Sequence, residues 1–116
     1  RTRRGRLPGA LPRLREGDLV VCGWFLNECD EPARRAMHDA FREGLRAGAR
    51  LLVVEPLSGR IAPWWEEWVR EGEALGLRSG IWKHEVDLPE PLRTLDHASG
   101  LDHGTLGARW IAGPTS

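Results

Sequence analysis

Two short apolar runs constrain this chain more than anything else in it. Leu19-Val20-Val21-Cys22 and Leu51-Leu52-Val53-Val54 are strand-length and dense in β-branched residues. Apolar side chains at successive positions put hydrophobic surface on both faces of a strand. That is the pattern of a parallel strand covered by helices on each side. Between the runs, Ala33, Ala36, Met37, Ala40, Phe41 and Leu45 recur at helical spacing. Asp30-Glu31-Pro32 opens that helix with a capping oxygen, acids for the positive end and a proline suited to the first turn. Gly48 stands at the expected stop. Strand, helix, strand is a βαβ unit, and its two strands are expected side by side and parallel.

The rest of the chain extends this unit. A second helix is expected from Pro63 to Leu75, with Trp65, Trp68, Val69, Gly72 and Leu75 on one stripe. Arg78 to Val86 reads as a strand, Glu90 to Ala98 as a short helix and Leu106 to Ala112 as a last strand. No long crossover joins those last two strands, so they are expected as an antiparallel pair at the sheet edge. The fold class is therefore α/β: parallel strands followed by an antiparallel pair, with helices packed on the sheet.

Residues 1–17 read as irregular, with Pro8, Gly9, Pro12 and Gly17 as breakers. Arg1, Arg3, Arg4, Arg6, Arg13 and Arg15 precede the first acid, Glu16. Two readings stay open: a basic arm for RNA, or a solvated loop that packs against another surface. Over the whole chain 17 basic residues balance 17 acidic ones, which gives no general pull toward nucleic acid or membrane. No run is apolar enough to span a bilayer and no secretory core is visible, so the expected location is cytoplasmic. Cys22 and Cys29 lack a metal-site spacing. The chain begins with Arg1 and its only methionine is Met37, so we expect a processed chain or part of a longer gene product.

Ligands of open α/β sheets lie beyond the carboxyl ends of the strands. Those ends are Gly23 to Glu28 and Glu55 to Ser58. Trp24, Phe25, Asn27 and Glu28 are thus delivered to an edge, and Glu55 ends a buried strand where an unpaired carboxylate is costly. Each also has a structural alternative: core packing for the aromatics, a turn or cap for Asn27. Trp64 lies off the main stripe of its helix and is a candidate substrate wall. The triplet Leu-Asp-His occurs twice, at 95–97 and 101–103, but no further ligand has convincing spacing, so no metal is expected. His103, near the start of the last strand, is a candidate proton acceptor for a substrate.

The succession DLVVCGWFLNE, ARRAMHDAFREGLRAGARLLVVEP, IAPWWEEWVREGEALGL, RSGIWKHEV and GARWIAG resembles the C-terminal half of a class I S-adenosylmethionine-dependent methyltransferase, over about residues 18–113. Asn27-Glu28 followed by Pro32 and a helix is also similar to a branch linked to ribosomal small-subunit methyltransferases. The resemblance implies strands four to seven of a Rossmann-like sheet, with the last strand antiparallel and inserted between five and six. It implies S-adenosylmethionine as cofactor and a small-molecule or RNA methyl acceptor. Gly23, Trp24 and Phe25 would then face the cofactor, where an aromatic ring steadies a sulfonium. Asn27, Glu28 and Glu55 would orient the acceptor, and Trp64 and His103 would line its site.

The family's Gly-rich loop after strand one and the acid ending strand two have no counterpart here. Residues 18–116 are therefore expected to be the substrate-side half, inactive alone, with the cofactor-binding half or a partner chain at the edge of the Leu19 strand. The alternative is a non-catalytic Rossmann-like module that associates through that bare edge.

Overall fold

The computed structural model describes residues 2, 4–57, 63–100 and 104–114. Four strands, β1 (Leu19–Gly23), β2 (Arg50–Pro56), β3 (Arg78–Glu85) and β4 (Thr105–Gly113), alternate with three helices, α1 (Glu31–Arg46), α2 (Pro63–Ala74) and α3 (Glu90–Ala98). The strands form one mixed sheet in the order β1-β2-β4-β3. β1 and β2 run parallel, with Val20 opposite Leu51 and Cys22 opposite Val53. β4 is antiparallel to both β2 and β3. The expected α/β class and antiparallel ending are both present. Among the described residues, no helix is long and apolar enough to cross a membrane.

Local chemistry explains the element borders. Asp30 Oδ1 accepts from the Ala33 N–H at 2.9 Å and caps α1, with Pro32 in the first turn. Gly48 follows α1 at φ 96°, a left-handed conformation that any other residue adopts only with strain. The chain then turns directly into β2.

Period two decides which side chains enter the core. Val20 and Cys22 of β1, Leu51, Val53 and Glu55 of β2, and Arg109 and Ile111 of β4 share one face through the pairing register. Met37 and Phe41 of α1 and Trp65 and Trp68 of α2 cover it. Phe41 meets Trp68 edge-on at 6.0 Å, so both helices lie on this face. The topology gives the reason. Each crossover, β1 to β2 and β2 to β3, steps the same way along the sheet. Crossovers of one hand that step one way put their helices on one side.

This corrects the expectation that helices cover both faces. Leu19, Val21, Leu52, Val54 and Trp110 alternate onto the opposite face. Leu19 and Val21 are 63% and 61% exposed. The distal arm departs further: α3 contributes no buried residue, and Ile81, Trp82, Leu92 and Leu95 are all exposed. Helices packed on the sheet therefore describes α1 and α2, not α3.

Residues 4–17 form no helix or strand, but they are not simply solvated. Leu11 and Leu14 pack against the core. Gly44 of α1 makes room for Leu14, which would lie only 2.5 Å from an added Cβ.

Candidate functional site

The end of β1 sorts its residues into anchors and presenters. Gly23 is the last ladder residue, and an added Cβ there would meet nothing within 4 Å. Trp24 follows at φ 53°, the only positive φ outside glycine among the described residues. Its N–H donates to the Val54 carbonyl at 2.9 Å, which holds that conformation against β2. Its side chain is exposed. A bulky residue in the left-handed region costs energy, and such outliers concentrate at functional sites. Phe25 then turns inward against the core, and Leu26 is fully buried. A single 3-10 turn, Leu26–Glu28, brings Asn27 and Glu28 back to the surface. Trp24, Asn27 and Glu28 thus stand outward, and Phe25 and Leu26 pin the loop between them.

Glu55 fixes this turn from inside. It is 0% exposed at the end of β2. Its Oε1 accepts from the N–H groups of Leu26 at 2.9 Å and Asn27 at 3.3 Å. Burial pushes its carboxyl pKa up, while those two hydrogen bonds and the nearby Arg109 pull the other way. Arg109 is the cross-strand neighbour of Glu55 in the register and is 5% exposed. Its guanidinium lies 4.7 Å from the Trp65 ring centre, a contact that favours a desolvated cation. Among the described residues, Glu55 Oε2 and Arg109 Nε have no hydrogen-bond partner. The two charges therefore meet through their field inside the core, where the dielectric is low.

Arg34 fixes the same turn from outside. Its Nη1 donates to the Cys29 carbonyl at 2.9 Å and the Leu26 carbonyl at 3.4 Å. The guanidinium also sits 4.9 Å from the Trp64 ring centre. The loop is thus clamped by a carboxylate on its N–H groups and a guanidinium on its carbonyls. Cys29 adds a weak thiol contact to the Phe25 carbonyl at 3.5 Å. Cys22, in the core below, has its thiol pushed up to about 11 by burial and by the fields of Glu55 and Cys29. That thiol is an inert packing group.

Trp64, off the stripe, is half-buried rather than exposed, while Trp65 and Trp68 are buried. It packs edge-on against both, at 5.7 and 5.6 Å. One side of it lines a groove of about 550 Å³ between α1 and α2. Through Arg34, the structure connects Trp64 to the turn that carries Asn27 and Glu28. Glu55 enters the site from below as a positioning group. His103 and Ser58 lie outside the described residues. Among the described residues, no group of three His, Cys, Asp or Glu could hold a metal ion.

Sequence reasoning passed over Arg34 and Arg109. Arg109 had a signal: an arginine inside the apolar run GARWIA, which pairing with β2 sets opposite Glu55. Arg34 had none, because its partners are backbone carbonyls.

No family model, curated protein or solved structure matches this chain.

Proposed function

We propose that this chain forms the substrate side of an S-adenosylmethionine-dependent methyltransferase. One observation carries the reading: the strand order β1-β2-β4-β3, with antiparallel β4 between two strands that run the same way. The resemblance implies an inserted antiparallel last strand of this kind. The Gly-rich loop and acid that hold the cofactor in that family would come from residues outside these 116, on the same or another polypeptide.

The crevice at the end of β1 fits part of such a cofactor. Trp24 offers an exposed indole face, and Gly23 leaves open space beside it. Phe25 packs into the core and supports the loop instead. The cofactor, when bound, supplies a methyl group already activated on a sulfonium. The chain's own task is then placement and exclusion of water. Trp24 would lie against the cationic centre, and the Asn27 amide and Glu28 carboxylate would orient the acceptor. Glu55 and Arg34 would act through the backbone they hold, keeping that turn in one geometry. Trp64 would wall the acceptor.

The test is a methyl-transfer assay with labelled S-adenosylmethionine on the gene product that carries this chain, against ribosomal RNA and small-molecule pools. Asn27→Ala should lower turnover at least about tenfold and leave the melting temperature unchanged. Absence of transfer to every pool would reject the reading. Tight cofactor binding by the 116 residues alone would reject the division of labour between two halves.

A second reading has an observation of its own. The open sheet face with exposed Leu19 and Val21 suits a non-catalytic module that associates through this surface. A chain that forms a stable complex but transfers no methyl group would favour it.

A further inference from the structure

Away from the crevice, one cluster joins α1 to α2, and its hydrogen bonds dictate where a proton sits. His38 stands in the middle of α1, edge-on to Trp68 at 4.8 Å. Its Nε2 lies 2.9 Å from Glu71 Oε2 on α2. Its Nδ1 lies 3.3 Å from Arg42 Nη2, which also donates to the same Glu71 oxygen at 2.6 Å. A guanidinium nitrogen can only donate and a carboxylate can only accept. Nδ1 must therefore accept from Arg42, and Nε2 must donate to Glu71. Only the neutral imidazole with its proton on Nε2 satisfies both contacts. A second proton, on Nδ1, would point an N–H at the N–H of Arg42.

We propose that His38, Arg42 and Glu71 form a pH-sensitive latch between α1 and α2, closed while the imidazole is neutral and weakened when it takes a second proton. Other charged groups face the ring. Asp39 on α1 and Glu67 on α2 favour the charged ring, as does Glu71. Arg42 opposes it, and burial opposes it most, so the His38 pKa is held below its ordinary value. Arg34 and Arg35 line the same groove one turn away. On the sheet side, Leu51, Leu77 and Ile111 supply no ionisable group. The latch sits in the wall of the groove whose other end is formed by Arg34 and Trp64. Its release would loosen the two helices where they flank the candidate site. The inference does not depend on methyl transfer.

A histidine whose folded pKa is depressed binds fewer protons in the folded chain than in the unfolded one. Its contribution is fully present above the ordinary pKa of about 6.5 and is lost as pH falls through the folded value. Nitrogen-15 NMR of the imidazole tests the geometry directly. The ring should be the Nε2–H tautomer and should titrate below about 6.5. Arg42→Met should raise that midpoint by about one unit, a tenfold gain in proton affinity. Thermal melts test the consequence. Between about pH 7.5 and about pH 5, the parent chain should lose about 4 °C more than His38→Gln, which keeps an N–H for Glu71. The opposite tautomer, a midpoint at or above the ordinary value, no response to Arg42→Met, or equal pH slopes for parent and variant would each overturn the latch.

Discussion

The two faces of the sheet carry equally apolar residues and meet different fates. On one face, Val20, Cys22, Leu51, Val53 and Ile111 lie under Met37, Phe41, Trp65 and Trp68. On the other, Leu19 and Val21 are exposed, Leu52, Val54 and Trp110 are partly buried, and Trp110 closes locally over Gly80. Composition along the strands does not explain the difference. Crossover direction does, because both helices are sent to the same side. The covered face also accepts what an apolar layer ordinarily rejects, a carboxylate and a guanidinium, because there they have a turn to hold and each other's field. The helix-covered core therefore lies on one face, and on the other Leu19 and Val21 stay exposed.

The comparison breaks most readily at Glu55. Glu55→Ala removes the acceptor of two buried N–H groups and leaves Arg109 without a counter-charge. We expect a loss of about 3–5 kcal/mol in urea unfolding. A loss under about 1 kcal/mol would mean that this carboxylate does not hold the turn.

Packing comes next. Ile111→Ala on the covered face should cost about 2–5 kcal/mol. Val21→Ser on the bare face should stay within about 0.5 kcal/mol and should reduce self-association in sedimentation. Equal costs at the two positions would show that the bare face is covered in solution.

The acid–base behaviour sharpens the contrast further. Glu55 has a raised folded pKa, so the folded chain holds its proton longer than the unfolded one. Its contribution is therefore greatest below the ordinary carboxyl pKa of about 4.3 and declines as pH rises through the folded value. Glu55→Gln should flatten that decline in a stability-versus-pH series. This window has the opposite sign to that of His38, so the two can be separated by single variants.

The smallest effect belongs to Trp24. Glycine adopts φ 53° without strain, so Trp24→Gly should raise stability by about 1 kcal/mol. The same change should abolish any function of the crevice. A drop in stability instead would make the indole a packing residue.

Much of this architecture was legible from the residues. The apolar runs at 19–22 and 51–54, the Asp30-Glu31-Pro32 start and the Gly48 stop placed β1, α1 and β2, because period and capping are local properties. The α2 stripe, with Trp64 off it and less buried than Trp65 and Trp68, was legible for the same reason. Two things were misjudged or missed. Apolar residues on both strand faces suggested two helical layers, whereas α1 and α2 share one. Glu55 stood out as a charge ending an apolar run and Arg109 was passed over, and only the β2–β4 register makes them neighbours.

The sequence by itself determined where strands and helices begin and end, since each depends on dihedral preferences and side-chain period within a few residues. It also determined that the end of β1 presents polar and aromatic groups. Tertiary structure alone decided which face is buried, that Glu55 and Arg34 grip one turn from opposite sides, and that His38 meets Glu71 across two helices. Those side-chain contacts reach as far as His38 to Glu71, 33 positions apart. No local rule encodes such a distance, and it is set only when the crossovers close and the strands find their register.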